Sequence, residues 1–400
     1  MDTPSAADST IIAGFDYLKL ENFLPDEHKA LVQDIRAFVR NTVWPNINPY
    51  WDRAEFPWEI VQELKNLPII GGMIRGFGSA GLDPMAQGLV MYELAKGDGS
   101  IATFIGVHSG LAMGSIGLLG NNEQRERWLP SMAKLEKIGA FALTEPDRGS
   151  NAVDIQTRAD KVADHYVLNG AKRWIGNASI ADVLIVWARD VDGKFGGYVI
   201  EDPNHTEGVT ITNLHGKIGK RAVLNADIKL NNVKVPAANR LEKANSFRDA
   251  GKVLMMGRYG VSWEAAGVAA GVFELALDYA MKREQFGKPI ASFQLIQQKL
   301  VEMATEVTLS KAMCFQLANL LIAGQMDEGI ASMAKYNNAR KARQVALLAR
   351  ETLGGNGILI ENHIARLMLD AEVIYTYEGT NEINMLLVGR DLTGFNAITG

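Results

Sequence analysis

The spacing of apolar residues changes twice along this chain of 400 residues, and that change limits the fold more than any other feature. Up to about residue 137, and again after about residue 246, apolar side chains recur at helical intervals, as Leu31, Ile35 and Phe38 do. Between these two parts, short β-branched runs such as DVLIVWARD and GGYVIED alternate with turn residues. Helices and strands are therefore segregated along the chain, which predicts an α+β architecture and excludes a βαβ repeat.

We predict three domains from this pattern: an N-terminal all-α domain over 1–137, a middle antiparallel β-barrel or sandwich domain over 138–245, and a C-terminal four-helix bundle over 246–400. The bundle is indicated by three long amphipathic segments that are separated by the short breaks GKP, GQM and GGNG. Three local signals add detail. Asn169-Gly170 predicts a hairpin turn, Pro45 predicts the end of the first helix, and Thr380 is the predicted N-cap of the last helix.

Composition narrows the functional classes. Hydrophobic residues make up 47% and charged residues 22% of the chain, as expected for a folded globular protein. A net charge of −5 offers no basic face, so neither a nucleic acid nor a membrane is an expected partner. The single cysteine, Cys314, lies in an apolar helical pattern, which predicts a buried inert thiol in a reducing compartment. Neither a signal peptide nor a transmembrane run is recognisable, so we expect the protein in the cytoplasm.

Several motifs that commonly indicate a function are either absent from this chain or stand in the wrong structural context. The glycine-rich GFGSAG at 76–81 matches a dinucleotide fingerprint, but helical segments flank it and Pro84 interrupts the helix that should follow. The six histidines stand far apart, with no carboxylate or cysteine at ligand spacing, so no metal site is expected. Hydrolase and phosphate-loop signatures do not occur.

Five segments carry residues suited to binding or catalysis. In FALTEPDRGSNA, Ser150 and backbone N–H groups could bind a heterocycle or a phosphate. Trp174 in NGAKRWIGNAS could cover a flat ring, and Arg283 in KREQFGKPIASFQ could pair with a pyrophosphate. ETLGGNG permits a close backbone approach, and IYTYEGTNEIN places Glu378 just before a helix. Each segment alone also has an ordinary structural explanation: a capped turn, a core indole, a solvated arginine, a helix C-cap, or a carboxylate beside a helix N-terminus.

Together and in this order, the five segments resemble the acyl-CoA dehydrogenase family over essentially the whole chain. Within that family, the AEFPWEI, FQLIQQKLVEMA and YTYEGTNEIN stretches are similar to glutaryl-CoA dehydrogenase and to the plant peroxisomal short-chain acyl-CoA oxidase. The WIGN sequence favours the oxidase of these two. The resemblance implies an FAD between the middle and C-terminal domains and a homotetramer built as a dimer of dimers.

The resemblance also implies a set of binding residues. Those of the same chain that would line the flavin are Phe141, Leu143, Thr144, Ser150, Trp174, Ile175, Gly176 and Thr380. Those that would reach the FAD of a neighbouring subunit are Arg283, Phe286, Gln294, Glu351, Gly354 and Gly355. The acyl-CoA itself would contact Ser150, Arg258 and Gly379. Gly176 stands where the family usually has threonine, so one side-chain hydrogen bond to the flavin is expected to be missing.

Glu378 is the catalytic base that the resemblance implies. The α-proton of a thioester is weakly acidic, so its removal requires a positioned base whose pKa is raised by burial. The thioester oxygen must be polarised at the same time, which the backbone N–H of the base residue and a flavin hydroxyl accomplish in the family. The β-hydrogen then leaves as hydride to the flavin, and the product is a trans-2-enoyl-CoA.

The sequence constrains the identity of the substrate and of the electron acceptor less than it constrains the catalytic base. Glutaryl-CoA dehydrogenases carry an arginine for the distal carboxylate at the position of Ala102, and neither Lys nor Arg occurs over 97–123. A short or medium monocarboxylic acyl-CoA is therefore favoured over glutaryl-CoA, unless another segment supplies a cation. Electron-transfer flavoprotein is the expected acceptor, with oxygen as the alternative. A family member that only binds DNA or serves as a scaffold would need a basic face, and a pI near 5.8 argues against it.

Overall fold

The computed structural model describes residues 14–398. Its N-terminal part is helical, with α1 (Asp26–Phe38), α2 (Trp44–Arg53), α3 (Trp58–Glu63), α4 (Pro84–Gly97), α5 (Gly99–Ile105), α6 (Gly114–Leu119) and α7 (Asn122–Ala133). The α4 helix is almost wholly buried, because it packs against a long C-terminal helix as well as its own neighbours, and its buried charges Glu93 and Lys96 are ion-paired. Its first turn is capped by Asp83, whose side chain accepts a hydrogen bond from the N–H of Ala86 at 2.8 Å.

The first helix does not end at Pro45. A π-helical turn over Val39–Val43 joins α1 to α2, and Pro45 occupies the first turn of α2, where a missing N–H costs no helical hydrogen bond. The helix continues to Arg53 with a second proline, Pro49, inside it. The prediction that Pro45 ends the helix is therefore wrong, because the π turn in front of it resets the hydrogen-bond pattern.

The middle part is a seven-stranded sheet. Its strands are β1 (Gly139–Ala142), β2 (Arg158–Val162), β3 (His165–Gly176), β4 (Val183–Arg189), β5 (Phe195–Glu201), β6 (Val209–Asn213) and β7 (Asn225–Pro236). They lie in the order β1-β4-β2-β3-β7-β6, and β5 pairs with β4. The neighbours β2–β3, β3–β7, β4–β5 and β6–β7 are antiparallel, as predicted, whereas β1 and β2 both run parallel to β4, β2 through the single pair Arg158–Arg189. Alternate residues of these strands form a small apolar core of the sheet's own.

Asn169-Gly170 is not a hairpin turn. Both residues lie inside β3, and the β2–β3 hairpin turns earlier, between Val162 and His165. A register shift between Leu168 and Gly170 marks a β-bulge, and Gly170 has a φ of +155° with Thr157 so close that a side chain would collide. Gly170 therefore marks a bulge inside a strand. The Asn-Gly pair is also typical of hairpin turns, so the sequence favours the wrong interpretation.

The C-terminal part consists of the long helices α8 (Phe247–Lys282), α9 (Gln294–Ile322), α10 (Glu328–Thr352), α11 (Ile364–Thr376) and α12 (Asn381–Thr393). A two-residue hairpin of β8 (Glu284–Gln285) and β9 (Lys288–Pro289) separates α8 from α9. Cys314 of α9 is fully buried and burial raises the pKa of its thiol, as an inert core cysteine requires. The predicted order of an N-terminal helical part, a middle β part and a C-terminal helical part is confirmed; the β part is a curled sheet, and five α-helices follow it between Phe247 and Thr393.

Two helical stretches, Gly99–Leu119 and Phe247–Lys282, have the length and composition of membrane-crossing helices. Most of each stretch is buried within the protein, which is typical of core helices. The interior of this chain therefore accounts for their apolar character.

Candidate active site

A large cavity brings most of the predicted site residues together. Its volume is about 1380 Å³, and it lies between the face of the sheet, the α4–α6 region, α8 and the α11–α12 turn. Small-molecule sites commonly measure about 300–1,000 Å³, so this cavity has room for more than one ligand. The predicted residues that line it are Phe141, Leu143, Thr144, Ser150, Trp174, Ile175, Gly176, Arg258, Glu378, Gly379 and Thr380.

The turn that carries Glu378 joins α11 to α12. Thr380 caps α12 as predicted, since its hydroxyl accepts a hydrogen bond from the N–H of Ile383 at 3.3 Å. Glu378 and Gly379 have φ angles of 53° and 78°, so the chain passes through the left-handed region at both residues. For a glutamate this conformation is strained, and such strain persists where the surroundings enforce it, commonly at functional sites.

Two side chains outside the turn enforce this conformation. The ammonium of Lys335 on α10 donates to the carbonyl oxygens of Gly379 at 2.8 Å and of Tyr375 at 3.2 Å. The amide of Asn384 donates to the carbonyl oxygens of Gly379 at 2.9 Å and of Thr380 at 3.0 Å. The carbonyl oxygens of Tyr375 and Gly379 thereby gain hydrogen-bond partners, and the turn is fixed from both sides.

Glu378 is half-buried as a residue, but its carboxyl oxygen Oε2 is inaccessible to solvent, and its pKa is shifted. Burial raises its pKa from 4.5 to about 7, although the nearby cations of Arg258 and Lys335 act in the opposite direction. Within residues 14–398, no group forms a hydrogen bond with Oε2. Space for the carboxylate comes from Gly257 on α8, because a Cβ there would stand 2.7 Å from Oε2. A raised pKa and an unpaired oxygen in a cavity are the properties of a general base.

The sheet supplies an aromatic and apolar wall of the same cavity. Phe141 and Leu143 are buried beside it, and Trp174 is 54% exposed, which is unusual for an indole at the end of a strand. Trp174 has a φ of 65° and lies against the guanidinium of Arg173. The N–H of Arg173 donates to the carbonyl of Thr144 at 2.9 Å, which ties the two predicted segments together.

Gly176 packs closely against Val107 of the N-terminal helical part. A Cβ at this position would lie 3.1 Å from Cγ2 of Val107, so a threonine would require Val107 to move. The glycine in WIGN therefore allows Val107 to pack closely against this wall of the cavity.

Arg258 and Ser150 lie at different depths. Arg258 is buried and its guanidinium donates to Oε1 of Glu328 at 2.7 Å, while Arg390 donates to the other oxygen of that carboxylate. The cation of Arg258 is close enough to Glu378 to lower the pKa of its carboxyl group. The prediction places Arg258 only near the CoA part of the substrate. Ser150 lines the cavity from an exposed loop.

Six predicted residues lie away from this cavity. All are exposed, on the β8–β9 hairpin and at the neighbouring helix ends: Arg283, Phe286, Gln294, Glu351, Gly354 and Gly355. The ring of Phe286 is 93% exposed and its backbone φ is 53°. Their assignment to the FAD of a neighbouring subunit stays a prediction.

A polar cluster that no sequence pattern predicted lies at another part of the cavity wall. It consists of the buried Thr103, Lys220 and Glu264 and the half-buried Tyr377, all of which line the cavity. Glu264 could have been noticed in the sequence, because it is an isolated charge in the apolar helical run VSWEAAG. Nothing in the loop GKIGKRAV indicates that Lys220 is buried. No group of histidine, cysteine and carboxylate side chains suited to a metal occurs within residues 14–398.

Comparison with known families identifies the same three parts. Residues 25–136 match the N-terminal domain of acyl-CoA dehydrogenases, residues 140–233 the middle domain, and residues 247–393 the C-terminal domain. These matches cover most of the chain. The domain boundaries at 137/138 and 245/246 remain predictions.

Relatives and solved structures agree with this match. The 3-(aryl)acrylate reductase of Clostridium sporogenes is 35% identical, over 92% of this chain and 99% of its own. The caffeyl-CoA reductase-Etf complex subunit CarC of Acetobacterium woodii is 32% identical, over 92% of this chain and 98% of its own. A glutaryl-CoA dehydrogenase of Mycobacterium smegmatis in complex with FADH2 superimposes with a TM-score of 0.92 at 34% identity, covering 95% and 98% of the two chains.

Proposed function

Because the chain belongs to the acyl-CoA dehydrogenase family, we propose that it removes hydrogen from Cα and Cβ of a short- or medium-chain monocarboxylic acyl-CoA. The observation that carries this proposal is Glu378, a carboxylate with a pKa of about 7 on a braced, strained turn inside the cavity. Its product would be a trans-2-enoyl-CoA.

The protein is an FAD-dependent oxidoreductase, as members of this family are. The residues present fit the cofactor, because the half-exposed indole of Trp174 and the apolar faces of Phe141 and Leu143 form an aromatic wall in a cavity large enough for two ligands. Thr144 adds a hydroxyl at that wall. When bound, FAD supplies the acceptor for the hydride that leaves Cβ.

The chain's own residues supply geometry and charge. Glu378, when ionised, takes the α-proton of the thioester, and its raised pKa makes it a stronger base than an ordinary carboxylate. Lys335 and Asn384 keep the turn, and hence the base, in one place. Arg258 places a positive charge near the carboxylate, which limits how far burial raises the pKa.

Glutaryl-CoA remains the main alternative substrate, since a structural neighbour is named for it. The absence of an arginine at buried Ala102 supports a monocarboxylic substrate instead. Anaerobic mixing of the enzyme with butyryl-, octanoyl-, isovaleryl- and glutaryl-CoA tests this directly. We expect loss of flavin absorbance with one or more monocarboxylic esters, and a response to glutaryl-CoA alone would overturn the substrate assignment.

Electron-transfer flavoprotein is the proposed electron acceptor. It is supported by the relative from Acetobacterium woodii, whose name places it in a complex with such a protein. The alternative, a short-chain acyl-CoA oxidase, would release hydrogen peroxide. Re-admitting oxygen to the substrate-reduced enzyme should therefore give slow reoxidation, whereas rapid stoichiometric peroxide would assign an oxidase.

Reduction of an arylacrylyl thioester is a second candidate, favoured by the name of the relative from Clostridium sporogenes. The reverse reaction uses the same base as an acid, because Glu378 with a pKa of about 7 can also return a proton to Cα. Chemically reduced enzyme should be reoxidised faster by crotonyl-CoA than by cinnamoyl-CoA. The opposite order would favour the reductase.

A further inference from the structure

The polar cluster of Thr103, Lys220, Glu264 and Tyr377 is the most unusual part of the cavity wall. Lys220 comes from the loop between β6 and β7, and Glu264 from the middle of α8. Both side chains are almost completely buried, at 2% and 1% exposure, yet both line the cavity that holds Glu378. Tyr377, the residue before Glu378, joins the cluster to the catalytic turn.

The side-chain groups of Lys220, Glu264 and Tyr377 hydrogen-bond to one another inside the cluster. The hydroxyl of Thr103 also donates to the carbonyl of Gly99 at 2.8 Å. The ammonium of Lys220 donates to the hydroxyl of Thr103 at 2.6 Å, to the phenolic oxygen of Tyr377 and to Oε1 of Glu264. The Tyr377 hydroxyl donates in turn to Oε2 of Glu264. The ammonium thus has three partners for its three protons, and the pair carries no net charge.

Because these hydrogen bonds are already formed within the protein, they limit which chemical groups of an acyl chain can bind at this wall. A buried lysine beside a cavity would otherwise attract an anion, because an uncompensated buried charge is costly. Here a carboxylate of the protein already satisfies the cation. A second carboxylate arriving on the substrate would find no free donor on Lys220 and would be repelled by Glu264.

We propose that Glu264 occupies the place of a substrate carboxylate opposite Lys220, so that these two specificity-determining residues restrict the cavity to acyl chains with an uncharged end. The proposal rests on the proposed function and deepens it, since it explains how a chain with a cation at the cavity wall still excludes dicarboxylic thioesters. Among the cations that line the cavity, which include Arg125, Lys217 and Arg258, Lys220 is the one that contacts Tyr377 beside the base, and it is already paired.

The test compares valeryl-CoA with glutaryl-CoA, which carries a carboxylate where valeryl-CoA has a methyl group. Affinities are measured by calorimetry and flavin reduction by anaerobic stopped flow, for the holoenzyme, Glu264→Ala, and the matched double variant Lys220→Met/Glu264→Ala. The wild type should prefer valeryl-CoA by at least about tenfold, and Glu264→Ala should reduce that preference by about tenfold or more. The double variant should restore it, because it keeps the space but removes the cation.

Glu264→Gln covers the case in which Glu264→Ala fails to fold, because glutamine keeps the volume and most hydrogen bonds while leaving Lys220 uncompensated. It should shift the preference toward glutaryl-CoA, by a smaller factor than Glu264→Ala. Equal affinities in the wild type, an unchanged preference in the single variants, or glutaryl-CoA binding by the double variant as tight as by Glu264→Ala would each overturn the proposal. Failure of every acyl-CoA to reduce the wild-type flavin would instead refute the proposed function, while the binding ratios still report on Glu264.

Discussion

At the scale of the residue, the state of Glu378 controls the predicted chemistry. A carboxylic acid with an ordinary pKa of 4.5 would be ionised throughout the neutral range, whereas burial raises the pKa of Glu378 to about 7. Below that value the base is protonated and inactive. We therefore expect kcat/KM to rise with pH through an apparent pKa of about 7, measured by initial rates with a monocarboxylic acyl-CoA. A profile that is flat down to the ordinary carboxyl range would contradict the burial of the base.

Lys335 provides a second residue-level prediction. When protonated, Lys335 lowers the pKa of Glu378, and its Nζ donates to the carbonyl of Gly379; burial lowers the pKa of Lys335 itself to about 7. Lys335→Met should therefore move the rising limb of the pH profile to higher pH and reduce kcat. Lys341→Met, on the same helix but paired with Glu306, is the control and should leave the limb in place. Coincident limbs for the two variants would show that Lys335 does not act on the base.

Sequence could identify Glu378, but not what surrounds it. The YEGT segment carries the proposed base, and Thr380 is recognisable as an N-cap because capping is a local property. Gly257, Glu264 and Lys335 act on the turn from α8 and α10, far earlier in the chain. Only the packing of the helices brings them together, so no local pattern could have predicted their roles.

At the scale of the element, Gly170 determines the path of β3. Its φ is +155°, and a Cβ added there would stand 2.5 Å from Oγ1 of Thr157, which leaves no room for a side chain. Gly170→Ala should lower the free energy of unfolding by about 1–3 kcal/mol, seen as a lower melting temperature of the holoenzyme. Gly251→Ala in α8, where a Cβ meets nothing within 4 Å, is the control. Equal melting temperatures of the two variants would argue against the bulge.

The order of elements was predictable, and the local errors have physical causes. Periodicity separates the helical parts from the sheet because burial on one face dictates the spacing of apolar residues. The same reasoning fails at Pro45, since a π turn cannot be recognised from composition. It fails at Asn169-Gly170 because a bulge and a hairpin turn both use glycine, and only the pairing of β3 with β7 distinguishes them. The parallel pairing of β1 with β4 likewise depends on contacts distant in sequence.

At the scale of the whole molecule, the exposed site residues predict a second copy of the chain. Phe286 presents a 93% exposed ring on the β8–β9 hairpin, which a partner subunit and its FAD would cover. Phe286→Ala should weaken FAD retention about tenfold, measured as flavin content after dialysis. Leu309→Ala, a 55% exposed apolar residue of α9, should retain its flavin. Equal flavin loss from both variants would argue against a shared site.

The central claim, that Glu378 is the base of an acyl-CoA dehydrogenase, is tested most directly by anaerobic mixing with butyryl-CoA, comparing the wild type with Glu378→Gln. The wild-type flavin should lose its absorbance. Glu378→Gln should fold, keep its FAD and bind the thioester, but its flavin should be reduced at least about 100-fold more slowly, because glutamine cannot take the α-proton. Flavin reduction by Glu378→Gln at the wild-type rate would contradict the claim.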